Sequence, residues 1–430
     1  MACKNGYASP RISGEILDCS LPVTFDTYSK CSYNCLYCFS YFQKSINNSL
    51  VFRDYQRDEL KGVDIEKVKA LFRLEKGWNY LKNHIAQRKY IQWGGLADQF
   101  DEYERKEGRT LELLKFFKEI NYPISFSSKA VWYLQDERYL SLIRGQKNWH
   151  LKISIINLDA GRAKQIEKGV PSPQERLKAM GIWSKLGAGE VTLRLRPFII
   201  GLTDRNDEYI DLIKQAKEQG ASSVSTEFFC VDKRAKPQLK QRYLEISHVI
   251  GFDLLKYYTM LSTGAGYLRL NRKIKLPYVK KMRDLCRQLD LRLYVSDLHV
   301  KDFSDNSCCC GLSEKENYQK NHFAEALIIA RRKGKVHFRD LDFDQFKEYY
   351  LESHDDRTIG YHFGDCICER REWTNKTVYD LFKIFWNDTK IGKGIYQYFQ
   401  GALKPGGMDE DGNVFYLYNG EPNDKDSDSK

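Results

Sequence analysis

The chain has 430 residues, 42% of them hydrophobic and 13% aromatic, a globular composition that excludes disordered, collagen-like and coiled-coil classes. Its 69 Lys and Arg against 58 Asp and Glu leave a formal net charge of +11, and it carries 12 cysteines. The length excludes a small disulfide scaffold, and a basic excess of this size fits either a polyanionic partner or an ordinary solubility device.

Residues 1–20 hold no apolar core of the kind a secretory signal needs, and no stretch has the roughly 18 apolar residues of a membrane span. The expectation is a cytoplasmic protein with no membrane partner. In that reducing compartment the cysteines are read as metal ligands or catalytic thiols, not as a disulfide framework.

In chain order, β-like runs stand at residues 21–27, 90–93, 123–126, 151–155, 190–196 and 223–229, with helical stretches between them. The fifth run alternates Val191, Leu193 and Leu195 against Thr192, Arg194 and Arg196, the period of a strand with one apolar face. The helix before it is well punctuated: Ser172 and Glu175 form a capping box, Pro173 takes the first helical position and Gly187 ends it. Another helix runs from about 204 to 220. Six strand-then-helix units in a row predict an α/β fold whose parallel sheet closes or partly closes like a barrel, with its chemistry at the C-terminal strand ends.

After about residue 300 the pattern changes, since residues 301–420 hold five of the cysteines and aromatic helical runs such as 378–386. The expected organisation is an N-terminal extension (1–20), the barrel (21–300), a cysteine-containing C-terminal α+β domain (301–420) and a disordered polar tail (421–430).

Cys31, Cys35 and Cys38 stand in CSYNCLYC, directly after the first strand. Three close thiolates suit a soft metal, and a short loop of this spacing can wrap one corner of a cubane iron–sulfur cluster. Structural metal sites are usually closed by four ligands, whereas three protein ligands leave one position for a substrate or cofactor. The same residues also read as a zinc site completed from a distance, or as three buried structural cysteines.

With Tyr37 at the aromatic position, this loop resembles the C-x3-C-x-(aromatic)-C pattern of the radical S-adenosylmethionine (SAM) superfamily. The resemblance implies a partial (β/α)6 TIM-like barrel and a [4Fe–4S] cluster on Cys31, Cys35 and Cys38. It also implies SAM at the open iron and an electron donor such as flavodoxin or ferredoxin. Reductive cleavage of SAM would yield a 5′-deoxyadenosyl radical that abstracts a substrate hydrogen. The protein's tasks are then to set the cluster potential, exclude water and aim one carbon–hydrogen bond.

The stretches GGLADQFDEYERKEGRTLELLKFFKEINYPISFSSKAVW and PSPQERLKAMGIWSKLGAGEVTLRLRPFIIGLTD are similar to the spore photoproduct lyase-like, or DNA repair photolyase-like, branch, over roughly residues 20–230. The resemblance implies that Gly94 and Gly95 let backbone approach the SAM amino group, although a Gly-Gly pair is also a common turn. It further implies that Lys129 and Ser154 contact SAM and that Asp98 and Gln99 lie near the substrate cleft. Ser127, Arg194 and Arg196, at strand ends, join Tyr37 as SAM-contact candidates, the arginines reading equally as surface ion pairs. Asn157 and Glu227 are further cleft candidates. At Gly95 the chain departs from the branch, because true photoproduct lyases carry a hydrogen-donating cysteine there, so that repair reaction is not expected.

Further along, Cys308 and Cys310, with Cys366 and Cys368, could supply four thiolates to a second iron–sulfur cluster or, as a further reading, zinc; adjacent core cysteines are the other reading. Cys230, just past the sixth strand, is a candidate catalytic hydrogen donor or else a buried structural thiol. Basic residues concentrate at 233–242 (five of ten), 269–283 (seven of fifteen) and 331–335, as a nucleic-acid rim or as solvated helix faces. The expected function is a radical SAM enzyme acting on a nucleobase or nucleotide, in DNA or free. The alternatives are a peptide or small-metabolite substrate, or a zinc-stabilised nucleic-acid-binding module without catalysis.

Overall fold

The computed structural model describes residues 3–7, 9–12, 20–40, 60–75, 80–233, 235, 237–263, 267–312, 318–347, 376–389, 394–399 and 401–420. The chain divides into two compact units, one of Met1–Arg11, Val23–Leu293 and Cys310–Leu312, the other of Ile12–Pro22, Tyr294–Cys309 and Ser313–Lys430.

The first unit is mixed α/β. Six parallel strands, β1 (Val23–Phe25), β2 (Ile91–Trp93), β3 (Ile124–Ser128), β4 (Trp149–Ser154), β5 (Val191–Phe198) and β6 (Ser223–Phe228), lie side by side in chain order within an eight-stranded sheet. Parallel neighbours need crossovers, and these contain α1 (Ile65–Phe72), α2 (Arg109–Glu119), α3 (Glu137–Ile143), α4 (Pro173–Lys185) and α5 (Glu208–Glu218), with α6 (Arg272–Gln288) after the last strand. All six strands fall where the sequence pattern put them.

Strand alternation explains the two faces of the sheet. On one face the rings of Phe25 and Trp93 sit 4.9 Å apart, Trp93 stacks on Phe126 at 5.6 Å, and Phe126 meets Trp183 of α4 at 5.8 Å. Each such ring contributes about 1.5–3 kcal/mol on burial, which anchors the helices to the sheet. The opposite face carries Gln92, Ser125, Ser127, Lys152, Arg194 and Ser225; Ser125, Ser127, Lys152 and Ser225 are buried, so this is a buried face that is polar, unlike the apolar runs usual in parallel sheets. This polar row leads to the C-terminal strand ends. The capping box of α4 forms as expected, with the Ser172 amide donating to Glu175 at 2.7 Å and the Glu175 amide to the Ser172 hydroxyl at 3.2 Å.

The second unit has helices Phe323–Lys333 and Val378–Asn387 and a three-stranded sheet of Lys335–Val336, Val414–Tyr418 and Leu403–Met408. Its core is aromatic, with Phe343 stacked on Phe382 at 4.3 Å. Among the described residues no helix is long and apolar enough to cross a membrane.

Candidate active site

The cysteine loop leaves the C-terminal end of β1 and is gripped from several remote elements. Asn34–Cys35 pairs antiparallel with Glu167–Lys168, and the Leu36 amide donates to the Ile166 carbonyl at 2.9 Å. The Ser32 amide donates to the Asp101 carboxylate at 2.6 Å. Arg242 donates to the Cys35 carbonyl at 2.9 Å and to the Asn34 side chain at 2.6 Å. The Tyr37 hydroxyl donates to Glu167, which pairs with Arg176 at 2.5 Å, and Arg176 in turn donates to the Ser154 carbonyl at the end of β4 at 2.5 Å. The Lys129 ammonium lies 5.6 Å from the Tyr37 ring centroid.

Electrostatics divide the loop. Burial pushes the Cys31 thiol far up, and Asp101 and Asp98 add to it. Burial pushes Cys35 up to about 12, against the opposing charge of Lys129. Burial works against the charge of Lys129 itself, but Cys35 and Glu167 outweigh it, so the ammonium is held charged. Burial also lifts Asp101 to about 7, opposed by the Ser32 amide.

The glycine pair follows β2. Gly94 has φ +91°, and a Cβ there would lie 2.3 Å from the Gln99 amide oxygen and 2.4 Å from the Ser127 carbonyl. A Cβ on Gly95 would lie 2.8 Å from the Thr24 methyl, so a side chain at this position, thiol or otherwise, has no room without a shift. The turn is pinned by Asp26, whose carboxylate accepts from the Leu96 amide at 2.7 Å, the Ala97 amide at 3.0 Å and Arg11 at 2.7 Å. Asp98 is equally engaged, accepting from the Phe100 amide at 3.0 Å, the Ser128 hydroxyl at 2.9 Å and the Lys129 amide at 2.6 Å. In contrast, both amide atoms of buried Gln99 and the buried Ser127 hydroxyl have no hydrogen-bond partner in the protein.

These observations fit the cofactors implied by the sequence. Buried thiolates require a cationic partner, which iron supplies. Orphaned polar atoms beside a glycine cradle fit a ligand bearing amino and carboxylate groups, because a buried polar group without a partner costs about 1–3 kcal/mol. Among the described residues no three His, Cys, Asp or Glu side chains are gathered to hold one metal ion. Each cysteine of a cubane binds its own iron, so the loop needs no convergence on a single point.

A second group of expected residues gathers at the ends of β5 and β6. Arg196 pairs with Glu227, and Arg269 lies 3.5 Å from the same carboxylate. Cys230 stands opposite Arg269 in an antiparallel pair. Asn157 donates to the Leu202 carbonyl at 3.0 Å and leaves its own carbonyl oxygen unpartnered. Cys310 sits 3.9 Å from the Gln92 side-chain oxygen, Cys308 and Cys309 are buried in the second unit, and Cys366 and Cys368 lie outside the described residues.

The basic stretches are split between surface and interior: Lys233, Lys240, Lys273, Arg332, Lys333 and Lys335 are exposed, whereas others are engaged by the protein. Lys275 is fully buried, 5.9 Å from the Phe228 ring, and Arg283 is buried as well. Lys281 pairs with Asp207 at 2.8 Å, and Arg331 donates to the Asp302 and Ser304 carbonyls at 2.8 and 2.6 Å. Asp26, Asp101, Glu167, Arg176 and Arg242 were not among the site residues expected from the sequence, although Asp26 lies in the first β-like run, Asp101 and Arg176 lie in the lyase-like stretches and Arg242 closes a basic run.

No family model matches the sequence, and no curated protein matches it. Solved structures do match. A cysteine-to-alanine mutant of spore photoproduct lyase is similar with a TM-score of 0.51 at 16% identity, over 68% of this chain and 80% of that one. The lyase complexed with dinucleoside spore photoproduct gives 0.50 at 16%, over 67% and 78%. SuiB of Streptococcus suis gives 0.44 at 13%, over 88% and 72%. The parallel six-strand unit, with a cysteine loop at its first strand end, therefore has the fold of spore photoproduct lyase.

Proposed function

We propose that this chain is a radical SAM enzyme. Its sheet acts as a partial (β/α)6 barrel, Cys31, Cys35 and Cys38 hold a [4Fe–4S] cluster, and the substrate is a nucleobase or nucleotide. When bound, the cluster supplies the electron that cleaves SAM and so a radical able to abstract a substrate hydrogen. The residues' own tasks are narrower. Gly94 clears backbone space, Gln99 and Ser127 offer their unpartnered polar atoms to the SAM amino acid group, and half-buried Lys129 supplies a cation. Arg196, Glu227 and Arg269 give the far strand ends a polar, charged wall for the substrate, with Cys230 beside it.

The observation that carries this reading is the three-cysteine loop at the first strand end, with the unpartnered Gln99 and Ser127 at the glycine turn and strand end that follow. The nucleotide substrate is supported by the likeness to the lyase bound to a dinucleoside lesion. The chain has glycine at position 95, where a Cβ would require the Thr24 methyl, 2.8 Å away, to shift, and we do not propose the lyase's own repair reaction for it.

The test is anaerobic reconstitution followed by reduction with SAM present. About four irons per chain and absorbance near roughly 400 nm, lost in Cys31→Ala, are expected; a colourless zinc protein overturns the assignment. About eight irons per chain would indicate a second cluster. Release of 5′-deoxyadenosine should rise with DNA, RNA or nucleotides above the substrate-free background. A peptide or small metabolite is the second reading, favoured by the burial or pairing of Lys275, Lys281, Arg283 and Arg331, which leaves fewer cations for a polyanion.

A further inference from the structure

We propose that the buried Glu167–Arg176 pair is a clamp that fixes the cysteine loop over the strand ends, with the Tyr37 hydroxyl as its point of grip. The role assigned to the loop rests on the cluster reading above; the grip itself is a property of the protein without metal.

Both side chains of the pair are 1% exposed. A buried ion pair of this kind adds little net stability over an apolar pair of the same volume, yet costs several kcal/mol when one partner is removed. Its value is geometric. Every arm of the pair ends on the site. Glu167 accepts from Tyr37 in the cysteine motif, its backbone pairs with Cys35, and the preceding carbonyl of Ile166 takes the Leu36 amide. Arg176 reaches the other way, to the Ser154 carbonyl at the end of β4. The loop and the fourth strand end are thereby held to one rigid link on α4. Tyr37 in turn faces half-buried Lys129 at 5.6 Å, and the charge of Lys129 also acts on Cys35. Releasing the phenol frees the loop and shifts the ammonium's surroundings together. Glu167, Arg176 and Tyr37 are positioning residues in this scheme, and no bond is made or broken on them.

The experiment uses the full chain with two variants. Tyr37→Phe removes only the hydroxyl and keeps the ion pair; Glu167→Gln removes the carboxylate. In metal-free protein well below its Tm, alkylation of Cys35 and hydrogen exchange at Leu36 and Cys38 should rise about tenfold in Tyr37→Phe, the effect of losing one buried hydrogen bond to a charged acceptor, and at least as much in Glu167→Gln. The Tm of Tyr37→Phe should change little. Unchanged alkylation and exchange in Tyr37→Phe overturn the clamp, as does an increase that appears only when the whole protein unfolds. In reconstituted protein, Tyr37→Phe should keep its iron while the SAM-induced change in the reduced cluster's EPR signal needs about tenfold more SAM. Wild-type protein that takes up no iron would sink the cluster reading, and the metal-free comparison would still decide the clamp.

Discussion

The guanidinium of Arg242 donates to the carbonyl of Cys35 at 2.9 Å, although 207 positions separate the two residues. In the sequence Arg242 closes a basic run; in the structure it holds the three-cysteine loop in place. A charge-assisted bond of this type contributes about 1.5–3 kcal/mol. Arg242→Met should therefore raise hydrogen exchange across residues 34–38 by about tenfold or more and shorten the lifetime of the loaded cluster. A nucleic-acid contact would behave otherwise, weakening DNA retention and reducing its salt slope by about one.

Gly94 offers a sharper separation of cofactors. Its φ of +91° and the contacts a Cβ would make at 2.3 and 2.4 Å leave no place for a methyl group, and one of those contacts is backbone. Gly94→Ala should cost about 1–3 kcal/mol and abolish SAM binding by equilibrium dialysis, with the iron content still about four per chain.

Asp26 organises the same turn from below. Asp26→Ala leaves the Leu96 and Ala97 amides and Arg11 without their shared acceptor. Because 30% of the Arg11 side chain is still in water, the expected loss is about 2–3 kcal/mol. Chemical denaturation measures it, and in an Arg11→Met background the cost should be smaller, as a double-mutant cycle requires for a coupled pair.

Acid should weaken the fold through buried histidine. Burial, with Lys89 adding, holds His84 at about 4 against an ordinary 6.5. The unfolded chain takes up a proton near 6.5 that the folded one refuses until about 4, so this stabilisation is complete above pH 6.5 and is lost as the pH falls toward 4. The span corresponds to about 3 kcal/mol at most. His84→Gln should flatten the decline by up to one proton in urea titrations across that range. The slope from His322 of the second unit, held by burial at about 3, would remain.

What the sequence alone determined is local. The six strands, the capping box on Ser172, the alternation in β5 and the three-cysteine spacing all depend on neighbours a few residues apart, and periodicity and turn chemistry record such neighbours directly. The positions of Gly94, Ser127 and Lys129 at strand ends were legible because strand ends can be counted. Tertiary structure decided which charges are spent inside the protein. Glu167, Arg176 and Arg242 meet the cysteine loop, while Lys275 and Arg283 turn inward, so a basic run in sequence becomes a basic face only in part. Tertiary structure also decided the division of the chain, sending residues 12–22 to one unit and 310–312 to the other. A side chain's partner is set by where distant segments pack, and the pairing energy of two charges depends on their separation and burial in space, neither of which is written in the order of residues.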